Sequence, residues 1–369
     1  MIKTATVTFH ASHNYGSSLQ AYALQQTIVS LGYENQIINL RTARQRDSYT
    51  VYTKRKGIKY ILKNITHFFY YFPLKRSYYR FEDFITNKLL LTKEFSTEEE
   101  LIKQEFNFDC FIAGSDQIWN PVPEDFDWSY YLTFVKKGRK ISYAPSFGPL
   151  SSIGDSTIQK KIAENLKTFD SISVREQGSA DNVKKLTGIN PRIVLDPTLL
   201  LNKESWLQLI ESRKRIIKED YIFFYTLFAD PERMRIVRKI SEKTGLPIVV
   251  SHFSNQYDFF NGFIKHYDAG PLEFLTLIRD AKLVVASSFH GTVFSILLNV
   301  PFFAINGLKD ARINTLLQLT GLTSRSIGIE DVDDKCNNAY TIDFDNANDR
   351  LIKERETCLS YLSNSIEND

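Results

Sequence analysis

The amino-acid sequence predicts an α/β protein with two domains built on mostly parallel sheets. Short apolar runs typical of buried strands alternate with segments of helical period along the chain. The chain has 369 residues, which is more than one hydrophobic core usually supports, so two domains are favoured. Most apolar runs end at small or polar residues, as strands do beside a ligand crevice. These observations indicate repeated strand–helix units in two successive halves.

The composition is that of a globular protein and disfavours several functional classes. Hydrophobic residues make up 43% and charged residues 24%, and the net charge of +3 is too small to require a nucleic-acid partner. The odd number of cysteines (Cys110, Cys336 and Cys358) excludes a fully paired disulfide framework and favours a reducing cytoplasm. No window approaches the about 18 uncharged apolar residues of a membrane span, and no signal peptide is visible. We therefore expect a cytoplasmic protein.

The chain opens with a strand–helix–strand unit. Residues 3–9 alternate as a short strand, a turn follows at 14–18, and an amphipathic helix continues to Gly32. Residues 35–40 form the second strand, which completes a βαβ unit. A mostly parallel sheet therefore starts at the beginning of the chain.

Residues 41–80 differ from the rest of the chain in charge. They hold eleven Lys or Arg against one acid, Asp47, with Tyr and Phe interleaved. One interpretation is a solvated helical insertion in the first domain, with aromatics that pack on that domain. Another is a segment that lies on an anionic membrane surface, where basic groups meet lipid head groups and aromatics sit at the interface. Nucleic-acid binding is a weaker third interpretation.

The alternation continues to the end of the chain. In the first half we predict helices at 78–90 and 156–168, an acidic helix start at 96–100, and strands at 108–113, 139–144, 171–174 and 192–195. In the second half we predict strands at 221–228, 246–251 and 282–286, and helices at 231–244, 271–281 and 347–364. This order fits the GT-B arrangement, in which two Rossmann-like domains face each other across a cleft. We expect domains at 1–200 and 201–345, and a helix in 346–369 that packs back towards the first domain.

Residues 281–305 carry the strongest functional signal, because His290 stands between two apolar runs. Residues 282–286 read as a buried strand, Ser287 and Ser288 end it, and a helix follows from Gly291 to Leu298. In open α/β sheets the ligand crevice lies at this edge, and the helix N-terminus there favours an anion. An imidazole with an ordinary pKa near 6.5 can accept and return a proton at neutral pH. His290 is the leading candidate for a general acid or base, and capping of the next helix is the alternative.

Other strand ends supply further polar groups, which would converge if both halves point their carboxyl edges at one cleft. Arg175 offers a planar fork for carboxylate or phosphate, with an ion pair to Glu176 or Asp181 as the alternative. The turn before the first helix suits an oxyanion, or forms an N-cap only. No GxGxxG, GxxxxGK[ST] or zinc-ligand spacing is present. The candidate binding residues at these ends are Asn14, Tyr15, Gly16, Ser17, Ser115, Asp116, Ser146, Ser287 and Ser288.

Six segments taken in order resemble one known family. They are TFHASHNYGSSLQAYALQ (8–25), FIAGSDQIWNP (111–121), SYAPSFG (142–148), SVREQGSADNVKKLTG (173–188), VLDPTLLL (194–201) and VVASSFHGTVFSILLNVPFFAI (284–305). The sequence resembles the polysaccharide pyruvyl transferase family from about residue 5 to residue 325.

The resemblance implies a GT-B-like enzyme that transfers a pyruvyl group from phosphoenolpyruvate to a sugar of a cell-surface polysaccharide precursor. The product would be a pyruvate ketal in capsule or exopolysaccharide assembly, made in the cytoplasm or at the inner face of the membrane. The acceptor would be a sugar, in such families often lipid-linked. By similarity, His290 takes the acid/base role, Arg175 binds an anion, and Asp116 joins them as a catalytic residue. No cofactor is required, and a divalent metal carried by the donor stays open.

The chain departs from the family at one position. Many members carry Arg-X-His where this chain has Ser288-Phe289-His290, and the resemblance then implies that Arg312 or Arg325 replaces the missing arginine. Two other functions stay open. One is a glycosyltransferase with a nucleotide-sugar donor, for which Glu330 or Asp331 would contact the nucleotide. The other is a non-catalytic protein at the membrane surface.

Overall fold

The computed structural model describes residues 1–53, 55–148, 155–228, 230–252 and 262–367. The chain divides into two compact units. The first unit comprises Met1–Thr50, Glu82–Leu201 and Lys353–Asp369, and the second comprises Val51–Phe81 and Asn202–Ile352. These units differ from the expected domains in the placement of the basic segment. Most of this segment belongs to the second unit and not to the first. The reason is packing, since Tyr70 and Leu74 lie against the core of the second unit.

The helices and strands alternate along both units. The strands are β1 (Lys3–Val7), β2 (Glu34–Leu40), β3 (Leu91–Phe95), β4 (Cys110–Ala113), β5 (Arg139–Ser142), β6 (Ser173–Val174), β7 (Arg192–Ile193), β8 (Ile222–Tyr225), β9 (Ile248–Val250), β10 (Ile264–Lys265), β11 (Leu283–Ala286), β12 (Phe302–Ile305) and β13 (Ser326–Ile327). The helices are α1 (Tyr15–Ser30), α2 (Ala43–Tyr49), α3 (Ile58–Phe69), α4 (Tyr71–Lys88), α5 (Glu98–Lys103), α6 (Ser156–Leu166), α7 (Gln177–Thr187), α8 (Lys203–Leu209), α9 (Pro231–Thr244), α10 (Pro271–Arg279), α11 (Phe289–Leu297), α12 (Ala311–Thr320), α13 (Val332–Lys335) and α14 (Phe344–Glu367).

The first unit is built on a five-stranded sheet in the order β3-β2-β1-β4-β5. Every pairing between its strands is parallel, and the short β6 and β7 form a separate parallel pair. All four residues of β4 are buried, as its continuous apolar run predicts. The sequence prediction missed β3, because this edge strand is mostly exposed or half-buried and has no apolar run to mark it.

The second unit is built on a six-stranded sheet in the order β10-β9-β8-β11-β12-β13. Its described strand pairs are also parallel. The strands β8, β11 and β12 are buried throughout, and their side chains pack with those of α9 in one core. The α/β class with two parallel sheets is therefore confirmed. Because the strands are parallel, the loops after β8, β9, β11 and β12 lie along one edge of this sheet.

Candidate functional site

The first turn of α1 lies at the carboxyl edge of the first sheet. Asn14 is the N-cap, and its Oδ1 accepts a hydrogen bond of 3.2 Å from the backbone N–H of Ser17. The Oγ of Ser17 donates to Asp116 Oδ2 at 2.6 Å. Tyr15 and Gly16 are buried in this turn, although the sequence predicts that they bind substrate. Asn14 thus makes the N-cap contact, and Ser17 links the helix to the strand end that carries Asp116.

The backbone around Asp116 has an unusual conformation. Asp116 has a φ of 73°, and Ala144, at the end of the neighbouring strand β5, has a φ of 53°. Non-glycine residues in this region cost on the order of 1–3 kcal/mol each and cluster at functional sites. Gly114 is required here, because a Cβ at this position would lie 1.9 Å from the carbonyl oxygen of Tyr143. The ends of β4 and β5 thus lie in close contact, and Asp116 lies where they meet.

Two serines predicted to bind substrate make hydrogen bonds to the backbone of these loops. Ser115 is fully buried, and its Oγ donates to the carbonyl of Ala144 at 2.8 Å. Ser146 is also fully buried, and its Oγ accepts from the N–H of Gly148 at 2.9 Å. Loops between buried strands need such partners for their backbone groups. The contacts of Ser115 and Ser146 favour a structural role for both residues.

Arg175 follows β6 and lies among three carboxylates. Its side chain is 3% exposed, and Nη1 is 2.8 Å from Asp196 Oδ2 and 3.7 Å from Asp116 Oδ1. The Nε atom is 3.5 Å from Glu176 Oε2, whereas Asp181 instead accepts a hydrogen bond from Gln177. Burial lowers the pKa of the guanidinium, but the charges of the three carboxylates outweigh it and raise the pKa above its usual value.

This arrangement departs from the expectation that Arg175 binds a substrate anion. Its described contacts are to carboxylates of the same unit, and the buried cation lies amid three potential negative charges. The geometry favours a positioning role, in which Arg175 holds Asp116 at the strand edge. No local sequence pattern reveals this, because Asp116 and Asp196 are far from Arg175 along the chain.

The sequence analysis missed a second polar cluster in the first unit. Ser12 Oγ donates to Asp125 Oδ2 at 2.6 Å, and the Tyr49 hydroxyl donates to the same oxygen. Burial raises the pKa of the Asp125 carboxyl above its usual value, although these two hydrogen bonds oppose the shift. Such a carboxyl is suited to exchange a proton with a hydroxyl. The sequence signal available was the acidic run at 124–127.

His13 and Glu82 border this cluster. The His13 ring stacks on Tyr49 with centroids 5.0 Å apart, and its Nε2 is 2.8 Å from Glu82 Oε1. Arg41 donates to both oxygens of Glu82, at 2.9 and 2.5 Å. Burial acts to raise the pKa of Glu82, but the hydrogen bonds and charges of His13 and Arg41 outweigh it and lower the pKa to about 2. Tyr49 and Glu82 thus fix the orientation of His13, and Arg41 holds Glu82 in place.

In the second unit, His290 lies in the first turn of α11, directly after the loop that ends β11. It is 8% exposed, and its ring contacts the Phe289 ring with centroids 5.2 Å apart. Ser288 is the N-cap residue, and its side chain makes no capping hydrogen bond. The Oγ of Ser287 is 2.7 Å from Thr226 Oγ1, at the end of β8. The predicted strand-end position of His290 is therefore present in the structure.

Gly291 allows α11 to approach the sheet closely. A Cβ at this position would lie 2.8 Å from Ala286 Cβ and 3.1 Å from Tyr225 Cδ1. Real Cβ atoms almost never come as close as the first of these contacts. The glycine therefore sets the distance between the first turn of α11 and the sheet, and with it the position of His290.

The two arginines expected to replace the family arginine have different environments. Arg312 binds Asp310 through Nη2 at 2.8 Å, and its guanidinium is 5.9 Å from the centroid of the Phe289 ring. It therefore lies beside the segment that carries His290. Arg325 is buried and donates to three backbone carbonyls at 2.7 to 3.1 Å. This geometry corrects the expectation for Arg325, which holds a loop onto β12 instead of facing a ligand.

Two further residues follow strands in the second unit. Sequence reasoning missed His252, which follows β9, and burial lowers its pKa to about 4, so it is neutral at neutral pH. Asp331, considered above as a nucleotide contact, accepts a hydrogen bond from the N–H of Gly328 at 2.8 Å.

Across the described ranges, no three His, Cys, Asp or Glu side chains are grouped as a metal site would need.

A family model for polysaccharide pyruvyl transferase matches residues 14–307. The chain belongs to the polysaccharide pyruvyl transferase family. The match covers most of the chain, and it includes Asn14, Asp116, Arg175 and His290. No curated protein matches the sequence. The protein is therefore a transferase of this family, as the sequence motifs predict.

Solved structures of low sequence identity share the fold of this pyruvyl transferase family member. S. aureus MnaA in a co-structure with UDP has a TM-score of 0.55 at 10% identity, over 100% of this chain and 96% of that one. The UDP-GlcNAc 2-epimerase of Methanocaldococcus jannaschii, in complex with UDP-GlcNAc and UDP, has a TM-score of 0.53 at 14% identity, over 98% of this chain and 100% of that one. AviGT4, a glycosyltransferase involved in avilamycin A biosynthesis, has a TM-score of 0.55 at 10% identity, over 99% of this chain and 97% of that one. These similarities establish a GT-B-like fold.

Proposed function

We propose that the protein transfers the pyruvyl group of phosphoenolpyruvate onto two hydroxyls of a sugar, which gives a pyruvate ketal on a precursor of capsule or exopolysaccharide. The observation that carries this proposal is His290, a nearly buried imidazole in the first turn of α11, within the region that matches the family. The reaction takes place in the cytoplasm or at the inner face of the membrane. It requires no resident cofactor, because the donor carries both the transferred group and the leaving phosphate.

The proposed reaction begins with addition of a proton to the methylene carbon of phosphoenolpyruvate, which leaves a cationic centre at C2. A sugar hydroxyl attacks C2 and loses its proton. Phosphate then leaves with the electrons of its bond to C2, and a second hydroxyl attacks the same carbon and loses its proton. The two protons released by the hydroxyls balance the proton on the new methyl group and the proton on the phosphate. The reaction therefore needs one proton donor and at least one base.

The charge at the carboxyl edge of each sheet favours a different substrate. The strand edge of the first unit carries the carboxyl groups of Asp116 and Asp125, which accept hydrogen bonds from hydroxyls at 2.6 Å. Carboxylates suit sugar hydroxyls and disfavour a phosphate. We assign the acceptor sugar to this edge, with Asp116 as the base and Arg175 as the residue that positions it.

The second unit offers the groups that an anionic donor needs. The N-terminus of α11 presents backbone N–H groups and the positive end of its dipole, and Ser288 stands at the cap. Arg312 adds a cation beside Phe289. His290, in the same helical turn, is the proton donor to the methylene carbon. This assignment replaces the family arginine at position 288 with Arg312 and the helix N-terminus.

The test follows phosphate release from phosphoenolpyruvate with a panel of free and lipid-linked sugars, and detects the ketal methyl group by NMR. His290→Gln is expected to lower kcat/KM by about a hundredfold or more while phosphoenolpyruvate still binds. The control is Thr315→Ala on the exposed part of α12, which is expected to leave turnover unchanged. Full turnover by His290→Gln would contradict the assigned role of His290.

A binding measurement separates pyruvyl transfer from glycosyl transfer. Isothermal titration with phosphoenolpyruvate and with UDP-sugars is run on the parent protein. Binding of a UDP-sugar, with no binding of phosphoenolpyruvate at millimolar concentration, would contradict the proposed donor. It would indicate a glycosyltransferase on the same fold.

A further inference from the structure

Helix α3 exposes its apolar side chains and partly buries its polar ones. Among its described side chains, the exposed ones are Ile58, Ile61, Leu62, Ile65, Phe68 and Phe69. They recur at the three- and four-residue spacing that places side chains on one face of a helix. A helix at the surface of a globular protein normally shows the reverse pattern, with its apolar face against the core. The outer face of α3 is therefore apolar.

The next helix, α4, also exposes apolar side chains, since Phe72 is 78% and Tyr79 is 58% exposed. We call these eight residues, the six of α3 with Phe72 and Tyr79, the α3–α4 face. Soluble proteins rarely expose large contiguous apolar patches, and those that do use them for interaction. The α3–α4 face is thus a candidate binding surface.

The inner side of α3 and α4 is attached to the second unit by specific contacts. Asn64 exchanges two hydrogen bonds of 3.0 Å with the backbone of Thr53, and His67 Nδ1 is 2.6 Å from the carbonyl oxygen of Val51. Tyr70, between α3 and α4, contacts the Tyr267 ring, and Ser77 of α4 donates a hydrogen bond from its Oγ to the carbonyl of Ala269. Asn64 and His67 therefore face inward because they make these hydrogen bonds, and the apolar side chains of α3 face outward on the opposite side of the helix.

The segment that carries the α3–α4 face has charged residues of one sign. Residues 48–81 contain eight Lys or Arg and no Asp or Glu. Arg76 and Arg80 form ion pairs with Asp268, while Lys56 is exposed one residue before the helix-capping Gly57. Lys75 lies 5.4 Å from the centroid of the Tyr71 ring and 5.9 Å from that of Tyr79. Basic groups next to exposed Phe and Tyr match the charge and polarity of an anionic lipid surface.

From this exposure pattern and charge, we infer that the α3–α4 face binds the surface of an anionic phospholipid bilayer. The helix α3 has 12 residues, about 18 Å in length, whereas a span needs about 20 residues. Within the described part of the chain, no helix has both the length and the apolarity that crossing a bilayer requires. The helix therefore lies in the plane of the interface, with Phe and Ile side chains among the acyl chains and basic groups at the lipid phosphates.

The charge also argues against a second copy of this chain as the occupant. A symmetric contact through the α3–α4 face would bring two acid-free, basic segments together, and their charges would repel. An anionic bilayer supplies both the apolar layer and the opposite charge. The inference does not depend on the proposed reaction, since it concerns a surface whose residues have no assigned role in it.

The test measures binding of the purified protein to vesicles of phosphatidylcholine alone and of phosphatidylcholine mixed with phosphatidylglycerol, by flotation. The parent protein is expected to float with the anionic vesicles and to be released by high salt. The variant Ile61→Ser/Ile65→Ser removes two side chains that are 58% and 51% exposed, and is expected to lower the partition coefficient roughly tenfold. The matched control, Leu308→Ser/Ile352→Ser, removes two aliphatic side chains that are 49% and 46% exposed elsewhere on the same unit, and is expected to bind like the parent.

A second pair of variants tests the charge. Lys56→Glu/Lys63→Glu is expected to weaken binding to the anionic vesicles by about tenfold or more, whereas Lys136→Glu/Lys137→Glu, in the other unit, is expected to have a much smaller effect. Circular dichroism and thermal unfolding show whether each variant is folded. Absence of binding by the parent, or equal loss in both aliphatic pairs, overturns the inference. A parent dimer that dissociates in Ile61→Ser/Ile65→Ser without binding vesicles also overturns it, and assigns the face to a second copy.

Discussion

The Oγ of Ser17 donates a hydrogen bond of 2.6 Å to Asp116 Oδ2, which joins the first turn of α1 to the loop after β4. Asp116 is held from its other side by Arg175, with Nη1 at 3.7 Å from Oδ1. The carboxylate therefore has a fixed orientation at the carboxyl edge of the first sheet. A base that acts on a sugar hydroxyl needs such an orientation.

The first prediction concerns this carboxylate. Asp116→Asn keeps the shape of the side chain but removes the proposed base, so kcat is expected to fall about a hundredfold or more with little change in stability. Ser17→Ala removes one hydrogen bond to the base and is expected to give a smaller loss. Phosphate release with a sugar acceptor is the measurement. Asp181→Asn on the exposed part of α7 is the control, and an Asp116→Asn protein as active as this control would contradict the assignment.

The second prediction compares a buried and an exposed arginine. Arg175→Ala leaves buried carboxylates without their cation and is expected to cost about 3–5 kcal/mol of unfolding free energy. Arg46→Ala removes an exposed ion pair with Glu94 and is expected to cost less than about 1 kcal/mol. Urea unfolding measures both values. Similar costs for the two variants would show that Arg175 is not the central charge of its cluster.

The third prediction concerns the pH dependence of stability. The pKa of Glu82 is lowered to about 2 in the folded protein, below its value of about 4.3 in an unfolded chain. The ionised carboxylate then stabilises the fold above pH of about 4.3, by about 3 kcal/mol, and this contribution is lost as the pH falls towards 2. Glu82→Gln is therefore expected to be less stable than the parent at pH 7 by this amount. The difference should shrink steadily below pH of about 4, and a difference independent of pH would contradict the prediction.

The fourth prediction uses two helical glycines. Gly291→Ala places a Cβ 2.8 Å from Ala286 Cβ, so α11 must shift away from the sheet and move His290. The expected result is a loss of about 1–3 kcal/mol in stability together with a fall in kcat. Gly178→Ala, in α7, meets no atom within 4 Å and is expected to be neutral or to stabilise by up to about 1 kcal/mol. Thermal unfolding and phosphate release measure both, and equal behaviour of the two variants would contradict the argument.

The local pattern of the sequence determined the succession of elements and the place of several site residues. The helix expected at 231–244 is α9, and the strand expected at 282–286 contains β11. His290 follows that strand, and Asn14 caps α1, because both positions depend only on where an apolar run ends and a helix begins. The ordered motifs likewise predicted the family. These are properties of neighbouring residues, so they are readable without a structure.

Tertiary structure alone decided the partners of the charged groups and the outward face of α3. Arg175 meets Asp116 and Asp196 because β4 and the loop after β7 are brought beside the end of β6. Asp125 meets Ser12 and Tyr49 from segments more than a hundred and more than seventy residues away. The apolar residues of α3 have helical spacing in the sequence, but only the inward contacts of Asn64 and His67 show that they face solvent. A sequence specifies the spacing of side chains within an element, whereas their partners depend on the order in which distant elements pack.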